Sequence, residues 1–489
     1  MDREMAGDDM ARSGRSLTED FMADREAGRE TIFALSSGAG AAGVAVIRIS
    51  GPAASCVIES MTKRPLPEAR RAVVRRLVDP GTGDVIDEAM VLWMPGPASF
   101  TGEDVAELHV HGSPAVIRRV LMVLGAMPGL RMAQAGEFTR RAFENGRMSL
   151  MEVEGLADLV RAETEAQRRQ ALAAARGDGR RKIEAWRERL IFILSRLEAS
   201  IDFCEEEDIA EKAMTGVRPA IDELVEAWSR EIETATRGLQ LREGLRVVIA
   251  GPPNAGKSSL LNALARREAA IVSDIAGTTR DVIEVTMDLA GLPVILCDTA
   301  GLRKAEEVAV DPVERIGQER ARKAMEAAAV VIWMTGADQL LENGRKYEER
   351  FGLETLKNRG EGPVVLNVLN KSDLIDSHPE RHEILARFDL AVSARTESGL
   401  ARLEARLGEI LSTRYMFDEP PVITRERQRQ ALEQARQALG MAGEALEDGR
   451  TELAAENVRQ AVVALEKTIG RVDVEDLLDS IFAEFCIGK

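Results

Sequence analysis

The sequence predicts a mixed α/β and α chain in three parts: an N-terminal α+β domain, a helical domain discontinuous in sequence, and an α/β domain inserted into it. Two observations in the chain predict this. Short β-type runs alternate with helical stretches over 31–146 and again over 243–415, whereas 147–242 and 416–489 carry long segments rich in Ala, Leu, Glu and Arg, with apolar residues three and four apart. Pro219 is the one proline between 150 and 243, and none follows residue 423. Length agrees, since 489 residues suffice for about three domains that each bury a core.

Composition removes several classes of function. Charged residues make up 30% and hydrophobic ones 45%, which excludes a largely disordered chain. The 82 acids outnumber the 65 Lys and Arg and leave a net charge of −17, so general coating of DNA is not expected. Cys56, Cys204, Cys297 and Cys486 are scattered without a CxxC pair, which argues against a zinc knuckle or disulfide framework and fits a reducing cytoplasm. No apolar run is long enough to span a membrane.

In chain order, residues 1–30 carry acids and arginines without an apolar segment and are expected to be a disordered tail or a misassigned start. The ordered chain should begin at ThrIlePheAlaLeu (31–35). Strands follow at GVAVIRIS (43–50), DEAMVLWM (87–94) and VAELHVHG (105–112), with a helix over 113–125. The spacing in LIFILSRLEASIDF marks the first helical block, and the second occupies the end of the chain. Nearby termini permit an insertion between neighbouring helices; two separate helical domains are the alternative.

The inserted segment carries the chemistry. Leu245–Ala250 reads as a buried parallel strand, followed by GPPNAGKS and then a helix, the context that a phosphate-binding loop requires. There Asn254, Ala255, Gly256, Lys257, Ser258 and Ser259 wrap the phosphates, with Lys257 on the β and γ oxygens and the Ser258 hydroxyl on Mg²⁺. A second apolar strand ends in Asp298, Thr299, Ala300 and Gly301, where Asp298 can hold Mg²⁺ through water and Gly301 can reach the γ-phosphate. A third ends in NKSD, with Asn370, Lys371 and Asp373; the Asp373 carboxylate can accept two hydrogen bonds from guanine, where adenine offers a mismatched pattern. Ser393, Ala394 and Arg395 form the loop behind the base. Thr278 or Thr279, in the segment Ser273, Asp274, Ile275, Ala276, Gly277, Thr278, Thr279, supplies the switch threonine. The expected fold is a Ras-like P-loop GTPase domain, and the substrate is GTP.

Hydrolysis is less direct. The position after DTAG, often a glutamine that orients water, is Leu302. The work falls to Arg280 or Arg303 as cations, to Glu314 as a water-positioning carboxylate, or to a bound monovalent cation.

These residues, with GVAVIRISGP, PGPASFTGEDVAELHVHG, AGEFTRRAFENGRMSL, IDFCEEE, VERIG and the terminal FCIGK, resemble the MnmE (TrmE) tRNA-modification GTPases over about 31–489. GEFTxRAF and the final CIGK discriminate it most. The resemblance implies a homodimer whose N-terminal domains pair and bind a tetrahydrofolate such as 5-formyltetrahydrofolate. It implies potassium-stimulated GTP hydrolysis linked to pairing of the GTPase domains. It further implies action with the flavoprotein MnmG to place a carboxymethylaminomethyl-type group at the 5-position of the wobble uridine of certain tRNAs. Carried over by position, Asn254, Ser273, Ile275 and Thr278 would coordinate K⁺, and Ser258 and Thr279 would hold Mg²⁺. Lys257, Thr279 and Glu314 would be catalytic, and Arg48, Glu107, Arg147 and Lys489 would contact folate. The chain departs from the family in having Arg147 where a lysine is frequent, Ser149 where an Asp is usual, SerSerGlyAlaGlyAlaAlaGly in place of a Pro-rich loop, and a longer segment between DTAGLR and VERIG.

Weaker constellations are read blandly. His109 and His111 share a strand face without a third ligand, and Asp202, Glu205, Glu206, Glu207 and Asp208 read as a solvated helix end. Cys486 has no local base. Arg161, Arg168, Arg169, Arg176, Arg180 and Arg181 could face tRNA or simply belong to a mixed-charge helix surface. The rival function is a ribosome-assembly GTPase, which should carry an appended RNA-binding unit after the GTPase domain.

Overall fold

The computed structural model of the chain describes residues 30–266 except Ala39 and Cys204, then 284–298, 322–343 and 362–470, and Leu478, Ile481, Phe482, Phe485 and Gly488. It forms two compact units, Met1–Ala157 with Gly470–Lys489, and Asp158–Ile469.

The first unit is built on strands β1 (Thr31–Leu35), β2 (Ala42–Ser50), β3 (Val73–Val78), β4 (Val85–Met94), β5 (Val105–Gly112) and β6 (Leu130–Met132). They form one sheet in the order β3-β4-β5-β2-β1-β6, antiparallel except where β6 runs parallel to β1. Alternate residues such as Ile47, Ile49, Leu108, Val91 and Leu77 bury one face under helices α1 (Ala54–Thr62) and α2 (Pro114–Ala126). The period of two therefore turns Arg48, Glu107 and His109 to the other face. Helix α2 starts where the sequence says it should: Ser113 accepts from the Ala115 N–H, and Pro114 occupies the first turn, where a missing N–H costs nothing.

Helix α3 (Glu137–Glu144) carries most of GEFTRRAF, and its contacts show what these residues do. The Arg141 guanidinium is buried, donates to Glu103 Oε2 at 3.0 Å and to the Glu30 carbonyl at 3.0 Å, and Glu103 in turn accepts from Ser50 at 2.7 Å. Glu137 accepts from Arg131 Nη1 at 2.9 Å and from the Gln134 N–H at 2.8 Å. Gly136 sits at φ 67° with its backbone pressed on the chain's end, since a Cβ there would lie 2.6 Å from the Phe482 carbonyl. The end returns to β1 as well, where Ser36 Oγ donates to the Gly488 carbonyl at 2.8 Å. Ile481, Phe482 and Phe485 pack with Leu150, Val153 and Ala157 of α4 (Leu150–Arg161).

Burial raises the Glu137 carboxyl, but the Arg131 guanidinium, the Gln134 N–H and Arg141 together hold it below its ordinary value of 4.5. Its folded pKa is thus lower than its unfolded one, so its stabilisation is complete above the ordinary range and fades as pH falls through the lower folded value. Glu137→Gln should lower unfolding stability by about 1–3 kcal/mol at neutral pH. In urea titrations the gap to the parent protein should shrink below about pH 4.

In the second unit, helices α5 (Glu165–Ala175), α6 (Asp178–Asp202), α7 (Glu207–Met214) and α8 (Val217–Glu243) precede the α/β sheet. Helices α13 (Glu426–Glu447) and α14 (Thr451–Ile469) follow it. Helix α14 packs on α6 and on α13, and α13 packs on α8, so helices from both sides of the insertion share one bundle rather than forming two. Trp186 and Trp228 meet edge to face across it, with centroids 6.0 Å apart. The acidic run begins where α6 ends, at Asp202. In the arginine-rich stretch, Arg168 pairs with Glu165 and Arg181 with Asp178, the mixed-charge reading.

The inserted sheet has the order β12-β11-β10-β7-β9-β8. Its strands are β7 (Leu245–Ala250), β8 (Glu284–Leu289), β9 (Leu292–Asp298), β10 (Val330–Gly336), β11 (Val364–Asn370) and β12 (Leu390–Ala391), all parallel except β8 against β9. Helices α9 (Lys257–Ala265), α10 (Ala337–Asn343), α11 (Arg381–Leu385) and α12 (Leu400–Tyr415) connect or flank them. Central β7 is buried along its length except at Arg246, as its unbroken apolar run predicts. The carboxyl ends of β7, β9, β10 and β11 therefore face one edge, where α/β sheets bind ligands.

Candidate nucleotide site

Strand β7 delivers the chain to Gly251, at φ 142°, where a Cβ would lie 2.2 Å from the Met334 carbonyl on neighbouring β10. Only glycine lets the loop turn so close to that strand. The loop passes Asn254 (φ 64°) and Gly256 (φ 92°) and becomes α9 at Lys257. The first N–H groups of a helix have no intrahelical acceptor and sit at the positive end of its dipole, so this turn is a cradle for an anion. Lys257 is only 8% exposed, and its Nζ donates to the Gly251 and Pro252 carbonyls at 3.1 and 2.9 Å. A cation is thereby held inside the loop.

Ser258 Oγ donates to Asp298 Oδ2 at 2.6 Å. Parallel pairing sets this up, because Ile249 of β7 stands opposite Asp298 at the end of β9. A hydroxyl and a buried carboxylate so placed are hard oxygen donors, the set Mg²⁺ takes. Ser259 is exposed beside them.

On the far side of the loop, Asn370 ends β11 almost fully buried. Its Nδ2 donates to the Ala255 carbonyl at 2.9 Å, and its Oδ1 accepts from the Ala394 N–H at 3.2 Å. One amide thus ties the phosphate loop to the loop of Ser393, Ala394 and Arg395. Gly256 makes room for it, since a Cβ there would lie 2.3 Å from Asn370 Nδ2. Ser393, completely buried, donates to Asp373 Oδ1 at 2.6 Å and accepts from the Thr396 N–H at 3.2 Å, which orients the carboxylate. Lys371, in the left-handed region at φ 59°, reaches Asp338. Arg395 is exposed.

Ser273, Asp274, Ile275, Ala276, Gly277, Thr278, Thr279, Arg280, Thr299, Ala300, Gly301, Leu302, Arg303 and Glu314 lie outside the described residues, as do Cys486 and Lys489.

In the N-terminal unit, β2 and β5 place Arg48 opposite Glu107, whose Oε1 accepts from Arg48 Nε at 3.0 Å. His109 Nε2 lies 3.0 Å from Glu107 Oε2, while His111 pairs with Asp87 instead, so the two histidines do not converge. Among the described residues no cluster of three or more His, Cys, Asp or Glu could hold a metal ion. The Arg48 guanidinium stands over the Phe100 and Phe138 rings at 5.1 and 5.8 Å, a clamp the sequence hid because Phe138 belongs to a separate motif. Arg147 is exposed and runs beside Gly102, where a Cβ would come within 3.2 Å of it.

Two family descriptions match the chain: "MnmE helical domain" over residues 150–486 and "GTP-binding protein TrmE N-terminus" over residues 31–147. The chain is 48% identical over 462 residues to the tRNA modification GTPase MnmE of Methylobacterium sp. (strain 4-46), covering 94% of this chain and 100% of that protein. It is 47% identical over 472 residues to that of Rhodospirillum rubrum, covering 94% and 99%. With that of Parvibaculum lavamentivorans it shares 48% over 462 residues, covering 94% and 100%.

Proposed function

The chain belongs to the MnmE family of tRNA modification GTPases. From that premise we propose that it is a K⁺-dependent GTP-hydrolysing switch that acts with the flavoprotein MnmG. Together they add a carboxymethylaminomethyl-type group at the 5-position of wobble uridine in certain tRNAs. The observation that carries the GTP reading is Asn370, which joins the phosphate loop to the loop behind the base while Ser393 aims Asp373. Guanine is selected because the Asp373 carboxylate, oriented by the buried Ser393 hydroxyl, loses two charge-assisted hydrogen bonds when the base lacks the matching donors.

With GTP bound, Lys257 exchanges its two carbonyl acceptors for β and γ oxygens and meets the charge that develops as the terminal phosphoryl leaves. Ser258 and Thr279 would hold Mg²⁺, which would supply positive charge to the triphosphate. Asn254, with Ser273, Ile275 and Thr278, would hold K⁺, which would supply a fixed charge where other GTPases use an arginine. Glu314 positions the attacking water.

Arg48, Glu107, Arg147 and Lys489 bind a tetrahydrofolate such as 5-formyltetrahydrofolate. The fit rests on a planar cation clamped by two rings beside a carboxylate, a surface for a flat, hydrogen-bonding ligand with acidic ends. The protein works as a cytoplasmic homodimer paired through its N-terminal domains, and nucleotide state sets the spacing of its two GTPase domains. Among the described residues no helix is long and apolar enough to cross a membrane. The ribosome-assembly alternative is less well supported, because α13 and α14 follow the GTPase domain and pack into the bundle where that class would carry an RNA-binding unit.

GTP turnover should be several-fold faster in K⁺ than in Na⁺ at equal ionic strength; equal rates would remove the ion from the mechanism. Nucleoside analysis of tRNA from cells lacking the protein should show loss of the modified wobble uridine. An intact wobble profile would overturn the tRNA part of the reading.

A further inference from the structure

Strand β10 lies between β7 and β11, so the turn that follows it emerges between the phosphate loop and the base loop. That turn, formed by Gly336 at the end of β10 and the first residues of α10, belongs to neither nucleotide motif, yet it touches both loops. Asp338 Oδ2 accepts from Lys371 Nζ at 2.5 Å, and Gln339 Nε2 donates to the Pro253 carbonyl at 2.5 Å. The turn is itself anchored: Ala337 and Leu340 are buried with Leu369 of β11 and Ile375 just beyond NKSD. Gly336 leaves space for the carboxylate to fold back, since a Cβ there would lie 2.5 Å from Asp338 Oδ1 and 3.6 Å from the Ala255 Cα.

We propose that Asp338 is a positioning residue for the guanine nucleotide: it holds Lys371 in the base loop while its neighbour Gln339 holds the phosphate loop, and so sets the gap the nucleotide enters. The proposal rests on the GTP reading and adds to it a residue outside the binding motifs. Two physical points support it. Lys371 occupies a left-handed backbone conformation that a lysine adopts at a cost, so its long side chain gains most from a fixed partner. A carboxylate this close to the phosphate loop would repel a triphosphate if bare, and the lysine cancels that charge. Burial raises the Asp338 carboxyl, but the hydrogen bond from Lys371 and the backbone N–H groups outweigh it and keep the carboxyl below its ordinary value, so it is ionised at neutral pH.

The test is a double-mutant cycle on the full chain, with GDP and ADP binding by calorimetry and steady-state GTP turnover. Asp338→Ala should weaken GDP about tenfold and raise the KM for GTP by a similar factor, with kcat within about twofold. Asp338→Glu should restore most of the affinity. In a Lys371→Ala background, Asp338→Ala should add no further loss. Parent-like GDP affinity in Asp338→Ala, or losses that simply add in the double variant, would overturn the proposal. If Asp338→Ala does not fold, the near-isosteric Asp338→Asn decides by the same readouts, with thermal unfolding without nucleotide as the folding check. A parent protein that binds ADP as well as GDP would instead overturn the nucleotide reading beneath the proposal.

Discussion

Asp373→Asn is expected to weaken GTP by about a hundredfold or more and to admit xanthosine triphosphate, whose base offers an oxygen where guanine offers an amino group. The size of the effect follows from how firmly the carboxylate is oriented. Ser393, with no exposed surface, fixes one carboxylate oxygen through a 2.6 Å hydrogen bond and is itself fixed by the Thr396 N–H. An amide in place of the carboxylate presents a donor to guanine's own donors, which replaces two charge-assisted bonds with a clash of like groups. Competition assays with GTP and xanthosine triphosphate would show the exchange; an unchanged preference would contradict the role given to Asp373.

Lys257→Ala should lower GTP turnover by about a hundred- to a thousandfold, the usual loss when one preorganised donor to a developing anion is removed. The structure adds a reason for a severe result. The ammonium is almost wholly buried and held at the loop by the Gly251 and Pro252 carbonyls before nucleotide binds, so its deletion removes a cation that is already in place for the phosphate oxygens. Lys257→Arg should rescue little, because a planar guanidinium does not fit a cradle shaped around a point charge. Single-turnover hydrolysis at saturating GTP separates this from weak binding; turnover within tenfold of the parent would place the charge stabilisation elsewhere.

Much of the fold was legible because its strands announce themselves. Leu245–Ala250 is a buried parallel strand and reads as one, an apolar run closed by a glycine that no other residue could replace against Met334. VAELHVHG alternates because one face of the strand is sealed under α1 and α2, while Glu107 and His109 on the other stay half-buried and His111 is exposed. Strand β8 escaped individual placement, since Glu284–Leu289 is half polar and gains its structure from pairing with β9 across a two-residue turn at Ala290 and Gly291.

The nucleotide loops were legible as local patterns, but the contacts that join them were not. Asn370 meets Ala255 across 115 positions of sequence, and Asp338 meets Lys371 only because β10 and β11 are neighbours in the sheet. The meaning of GEFTRRAF was hidden for the same reason: Gly136 is required by Phe482, from the far end of the chain. Local spacing reports which group a residue carries, and tertiary packing decides what that group meets.

Calorimetric titration of the purified full chain with guanosine and adenosine diphosphates, in buffer containing Mg²⁺, tests the central claim most directly. The account predicts that the guanine nucleotide binds at least a thousandfold more tightly, the scale expected when base choice rests on an oriented carboxylate that pairs with the base (about 10⁴ for comparable polar sites). Comparable heats and affinities for the two nucleotides would contradict it.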